Sequence, residues 1–251
     1  MRLRYVLLLI ISISLALFYA IFPVSPEPDS QTTSKIQEAV DQARVDNDIP
    51  GMQVSISLPA NRNNVSYVTQ NFLSGVRALN STIPVRPEDL YQIGSNTKAF
   101  VAVVLLQLEA EGRLNINDPI RKYISFKNHP TWPKRWKKVT IKQLLNMTSR
   151  IYNYTEADGF FRNMLDHGSE IRTPTYLVNI AAQHDDYKSG WAYSNTNYIL
   201  LGMIIEAVTK KSVEENITSR ILKPLKLSNT YYSPGDYPQK IDDQTVNGYW
   251  R

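Results

Sequence analysis

Residues Phe100-Val-Ala-Val-Val-Leu-Leu-Gln-Leu-Glu-Ala110 constrain the fold most, being strong helix formers and apolar on nearly every side. Such a stretch reads as a buried helix. Directly before it stands Tyr91-Gln-Ile-Gly-Ser-Asn-Thr-Lys-Ala-Phe100, which sets Ser95 at the helix N-terminus with Lys98 one turn on, on the same face. A serine hydroxyl is a poor nucleophile at neutral pH and needs a base beside it. A helix N-terminus also offers free N–H groups and a positive partial charge to a developing anion. The ordinary alternative is a serine N-cap followed by a solvated lysine. The rest of the chain has to decide between them.

A second constellation is Trp191-Ala-Tyr193-Ser194-Asn195-Thr-Asn-Tyr198, on a loop before the helical run Tyr198-Ile-Leu-Leu-Gly-Met-Ile-Ile-Glu-Ala-Val-Thr209. Tyr193 and Asn195 can aim a phenol and a carboxamide into one cleft. Beside a lysine cation the phenolate of Tyr193 is favoured, so it can take the serine proton and return it to a leaving amine. Asn195 offers a donor and an acceptor to a substrate amide. With 15 tyrosines in the chain, a tyrosine-rich loop packed on the core is the plain alternative for Tyr193 taken alone.

Upstream the periodicity changes from helical to two. Gly51-Met-Gln-Val-Ser-Ile-Ser-Leu58 and Val65-Ser-Tyr-Val-Thr-Gln-Asn-Phe-Leu-Ser-Gly-Val-Arg77 predict an antiparallel hairpin. Lys35-Ile-Gln-Glu-Ala-Val-Asp-Gln-Ala-Arg44 predicts an amphipathic helix lying against that sheet. The fold class is therefore α+β, with a helical subdomain over residues 95–230 and the part-sheet from 51–77.

Together these stretches resemble the serine beta-lactamase and penicillin-binding-protein superfamily, in particular the branch of class C beta-lactamases, D-Ala-D-Ala carboxypeptidases and related esterases. The resemblance spans residues 35–250. It rests on Ile93-Gly-Ser-Asn-Thr-Lys-Ala-Phe100, Leu106–Leu114 with Asn117-Asp-Pro119, Val139-Thr-Ile-Lys-Gln-Leu-Leu145, Met147-Thr-Ser149, Tyr193-Ser-Asn-Thr-Asn-Tyr-Ile-Leu-Leu-Gly202 and Ile221-Leu-Lys-Pro-Leu-Lys-Leu227, in that order. It implies a beta-lactamase/transpeptidase-like fold and an acyl-enzyme on Ser95, with Lys98 as its partner and Tyr193 and Asn195 as the second motif. The implied substrates are D-Ala-D-Ala peptides, beta-lactams or small esters. The other expected classes are an inactive peptidoglycan-binding module and a fragment that does not fold stably.

Departures from the family are informative. Its third motif, Lys-Thr-Gly or His-x-Gly, is expected on a strand well downstream of Tyr-x-Asn, and the sequence to Arg251 holds no such motif there. Lys188-Ser189-Gly190 lies upstream of Tyr193 and reads as a decoy. The expectation is a C-terminally truncated domain over 30–251, with an incomplete antiparallel sheet and an impaired site; one lost oxyanion donor costs about 10²–10³-fold in rate. Arg150 and Lys210 stand where relatives usually carry a turn glycine.

At the other end, Arg2 and Arg4 precede the apolar run Val6–Phe22, and Pro23-Val-Ser-Pro-Glu-Pro28 stops it. Residues 1–29 are expected to be a signal peptide or an N-terminal membrane anchor with a proline-rich linker, exporting the domain to the periplasm and, if left uncleaved, tethering it to the inner membrane through residues 6–22. Absent cysteines exclude lipoprotein modification, disulfides and thiol chemistry. His129, His167 and His184 have no spacing suited to zinc, and no G-x-S-x-G elbow occurs. The cluster Lys134-Arg135-Trp136-Lys137-Lys138 reads as a solvated face in a chain of net charge +5. No metal, cofactor or nucleic-acid partner is expected, and the chain is expected to act as a monomer.

Overall fold

A computed structural model describes residues 30–61, 64–168, 170, 172–184, 190–232, 241 and 243–248. Two compact units divide the chain, with boundaries after Gln92 and after Pro238. The run Val6–Phe22 lies outside the described residues, and among those described no helix is long and apolar enough to cross a membrane.

In the first unit, α1 (Ser30–Asp46) is followed by β1 (Gly51–Asn61) and β2 (Asn64–Gly75), paired antiparallel from Gly51↔Gly75 outward. The pair Gly51 and Gly75 marks where the backbone is tightest. A Cβ on Gly75 would sit 2.1 Å from the Pro50 carbonyl oxygen, and one on Gly51 would sit 2.2 Å from that of Val76, while Gly75 itself has φ +80°. On one face Ser57 and Thr69 hydrogen-bond across the strands at 2.7 Å, and Ser55 donates to Asn71 at 2.6 Å.

Helix α1 lies on this hairpin as its amphipathic pattern predicts. Gln37 Nε2 donates to the Leu73 carbonyl at 2.9 Å, and Arg44 donates to Ser74 Oγ, which itself donates to Asp41. Val40 and Phe72 are buried beneath these contacts. Among the described residues the sheet holds only these two strands, and Ile36, Ala39, Ala43, Met52 and Val54 line an open apolar groove between α1 and β1. Residues 243–248 fold back into the same unit: Leu90 donates to Gln244 and accepts from Val246, each at 2.8 Å, and Asn247 donates to the Arg77 carbonyl.

The second unit is helical. Its elements are α2 (Thr97–Ala110), α3 (Ile141–Leu145), α4 (Phe160–Asp166), α5 (Pro174–Ala182), α6 (Asn195–Thr209) and α7 (Val213–Ile217), the last running into a π-helical turn over Thr218–Leu222. Thr140 with Gln143 and Ser212 with Glu215 form capping boxes that start α3 and α7, and Thr173 caps α5 ahead of Pro174. The core gathers Val104, Leu105 and Leu108 of α2 with Leu200, Leu201, Ile204 and Ile205 of α6, all at 0% exposure. Trp136, Ile141, Leu144 and Val178 close it from other sides.

The uniformly apolar look of residues 100–110 overstated their burial in one respect. Val103 is 43% and Leu106 49% exposed, so one stripe of α2 faces outward. In the basic cluster, Trp136 is wholly buried and acts as the anchor, which turns Lys134, Lys137 and Lys138 out to solvent.

Arg150 and Lys210, where a glycine was expected, both adopt left-handed backbone, with φ of 62° and 60°. Lys210 ends α6, its N–H bonded to the Glu206 carbonyl. A residue with a Cβ is strained there, whereas glycine is not.

Lys210→Gly should therefore stabilise the chain by about 0.5–1 kcal/mol, the relief of strain exceeding the added unfolded-state entropy. Leu105→Ala, at the centre of the α2–α6 contact, should cost about 2–5 kcal/mol. Equilibrium denaturation of both variants beside the parent checks the two signs.

Candidate active site

Gly94, at φ +50°, turns the chain into a short 3₁₀ turn over Gly94–Asn96 that continues as α2. Ser95 sits in this first turn, where N–H groups have no partner four residues back. One turn on, Lys98 Nζ reaches Ser95 Oγ at 3.0 Å. Tyr193 is on the extended segment before α6, and its hydroxyl lies 2.7 Å from Ser95 Oγ. Asn195, the first residue of α6, accepts from Lys98 Nζ through Oδ1 at 2.7 Å. All four residues singled out from the sequence thus meet at one point. Lys98 Nζ also stands 4.9 Å from the centre of the Tyr193 ring and 5.7 Å from that of Tyr198, within cation–π range.

The Tyr193–Asn195 segment is held by buried polar groups. Ala192 donates to the Met147 carbonyl at 3.0 Å, and Thr196 Oγ1 donates to the Tyr152 carbonyl at 2.6 Å while accepting from Tyr154 N–H. Ser149 Oγ donates to Asn197 Oδ1 at 2.6 Å, and the Asn197 amide donates to the Leu144 carbonyl. Ser149, Ser194, Thr196 and Asn197 are all buried, so residues 144–155 and 192–197 are sewn together out of water.

Two residues in that seam escaped the sequence reading. Asn153 Oδ1 accepts from the Asn195 backbone N–H at 3.0 Å and from Asn195 Nδ2 at 3.3 Å, and Thr155 Oγ1 accepts from the same Nδ2 at 3.2 Å. Both N–H bonds of the Asn195 carboxamide are therefore engaged internally. Of the donor and acceptor expected to face a substrate, only the second lone pair of Oδ1 stays uncommitted. The available signal was the position of Asn153 and Thr155 four and six residues after the matched Met147-Thr-Ser149 stretch.

Electrostatics favour an ionisable phenol at the centre. Partial burial opposes ionisation of Tyr193, but its interactions with Lys98 and Ser95 and the charge of Lys98 outweigh it, so the phenol titrates below its ordinary value. Tyr154 and Tyr198 are pushed the other way, by desolvation and then by the proximity of Tyr193. Of these three phenols, Tyr193 alone is shifted toward the ionised form.

No group of three or more His, Asp or Glu side chains suited to a metal occurs among the described residues. His129 stacks on Trp132 and His184 on Tyr152, both as packing partners. Lys188 and Ser189 lie outside the described residues.

The beta-lactamase family profile matches residues 36–249. Protein flp of Staphylococcus aureus (strain NCTC 8325 / PS 47) is 32% identical over 195 residues, covering 77% of this chain and 37% of the relative. The teichoic acid D-alanine hydrolase of Staphylococcus aureus is 30% identical over 166 residues, 66% of this chain and 36% of the relative. The chain thus spans little more than a third of the length of these curated relatives. Among solved structures, a D-stereospecific amidohydrolase from Streptomyces sp. superimposes with a TM-score of 0.66 at 33% identity, covering 81% of this chain and 56% of that one. With a profile matched across most of its length and a beta-lactamase/transpeptidase-like fold, the chain belongs to the beta-lactamase family of hydrolases.

Proposed function

We propose that the chain is a serine acyl hydrolase that works through an acyl-enzyme on Ser95. The observation that carries this is the convergence of Lys98 Nζ and the Tyr193 hydroxyl on Ser95 Oγ at 3.0 and 2.7 Å. Phenolate Tyr193 takes the Ser95 proton as Oγ attacks a carbonyl carbon. Lys98 favours the phenolate by its charge and donates to Ser95 Oγ. The tetrahedral adduct collapses when the Tyr193 hydroxyl gives that proton to the leaving nitrogen or oxygen. Water, deprotonated by the same phenolate, then attacks the Ser95 ester; the acid product leaves and Ser95 recovers its proton.

The substrates are D-Ala-D-Ala peptides, beta-lactams or small esters. A D-configured acyl group is favoured by the names of two relatives, one a D-stereospecific amidohydrolase and the other a D-alanine hydrolase. The domain acts as a monomer on the outer side of the inner membrane, exported through residues 6–22.

Incubation with a fluorescent penicillin, followed by mass spectrometry, should give an adduct on the peptide containing Ser95, absent in Ser95→Ala. Binding to peptidoglycan without any covalent label would replace this function with that of a binding module. A pH series adds a second test. The base form of Tyr193 is the deprotonated one, so acylation should rise with pH through an inflection below the ordinary tyrosine value of about 10. Tyr193→Phe should abolish that rising limb and slow acylation by about 10²–10⁴-fold. An unchanged profile in Tyr193→Phe would remove Tyr193 from the proton path.

A further inference from the structure

We infer that Asn153 and Thr155 are positioning residues that fix the Asn195 carboxamide, and through it Lys98, in line with Ser95; this rests on the acyl-enzyme reading above. A carboxamide turned by 180° has nearly the same shape, so something must choose its orientation. Lys98 can only present N–H donors to it, which requires Oδ1 on that side. The opposite side must then offer acceptors to Nδ2, and it offers two: Asn153 Oδ1 at 3.3 Å and Thr155 Oγ1 at 3.2 Å.

Asn153 is oriented in turn. Its Oδ1 also receives the Asn195 backbone N–H, and its Nδ2 donates to Glu156 Oε1 at 3.4 Å. A flip of Asn153 would set its N–H bonds against those of Asn195 and its oxygen against the carboxylate. Donor direction is thus dictated from both ends, by an ammonium at Lys98 and a carboxylate at Glu156. Every intermediate amide has one workable orientation.

The local backbone supports this assignment. Asn153 occupies the N-cap of the 3₁₀ turn Tyr154–Glu156, where an asparagine side chain ordinarily accepts from the N–H groups of its own turn. It makes no such bond. Its oxygen is committed 42 residues away in sequence, at Asn195, and the side chain is held there at only 8% exposure.

The test uses the full chain and four proteins: parent, Asn153→Leu, Thr155→Val and Thr155→Ser. Labelling by fluorescent penicillin at increasing concentration separates the limiting acylation rate from the half-saturating concentration. The limiting rate should fall about 10-fold in Thr155→Val and about 10²-fold in Asn153→Leu, as expected for misplacing a catalytic group, with half-saturation within about 2-fold of the parent. Thr155→Ser, which keeps the hydroxyl, should return to within about 3-fold of the parent rate. Crystal structures of the parent and of Asn153→Leu give a readout independent of activity: in the variant the Asn195 carboxamide should turn and Lys98 Nζ should leave Ser95 Oγ. Thr155→Ser as slow as Thr155→Val, or Asn195 and Lys98 unmoved in Asn153→Leu, would overturn the inference. A parent chain that takes no label while Asn195 turns in the variant would sink the acyl-enzyme reading and leave Asn153 and Thr155 as the residues that orient the Asn195 carboxamide.

Discussion

Everything at the site depends on α2 and α6 packing with their N-terminal ends together. Each helix brings half of the chemistry: α2 carries Ser95 and Lys98 at its start, and α6 opens with Asn195 just after Tyr193. The two halves are about a hundred residues apart in the chain, and no local interaction could join them. Burial of Val104, Leu105 and Leu108 against Leu200, Leu201, Ile204 and Ile205 does so. That apolar contact is non-directional, and it tolerates small slides of one helix along the other. A 2.7 Å hydrogen bond between Tyr193 and Ser95 does not.

Directionality comes from the polar seam. Ser149, Thr196 and Asn197 are buried yet hydrogen-bonded, and each unsatisfied group of this kind would cost about 1–3 kcal/mol. The seam therefore permits one register of residues 192–197 on residues 144–155. Apolar packing supplies stability and the seam supplies position. A side chain such as Asn195, which sits at the head of one element and is tied to the other, inherits the rigidity of both.

Much of this was legible in the sequence because local chemistry dictates it. Alternation over 51–77 gives the hairpin, the 35–44 stripe gives the helix that covers it, and S-x-x-K and Tyr-x-Asn place four side chains at or just before two helix starts. Arg150 and Lys210 stood out as missing glycines, and both have the positive φ that a glycine would relieve. What escaped was set by partners far along the chain. Asn153 resembles an ordinary cap until its distant acceptor role is seen. Likewise, nothing in the composition of residues 243–248 announces that they pair with Leu90. The outward stripe of α2 escaped for a related reason: periodicity cannot distinguish a helix surrounded on all sides from one left open along Val103 and Leu106.

Gly94 bears on how this site can drift over generations. Its missing side chain faces open space, with no atom within 4 Å of where a Cβ would stand, so nothing collides with a larger residue there. The restriction lies in its φ of +50° alone. Asparagine and aspartate visit that region at modest cost, whereas β-branched residues do so rarely. Lineages descending from this chain are thus free to exchange the residue before Ser95 for a short polar one, while valine, isoleucine or threonine at the same spot would pull the 3₁₀ turn, and the serine it carries, out of line.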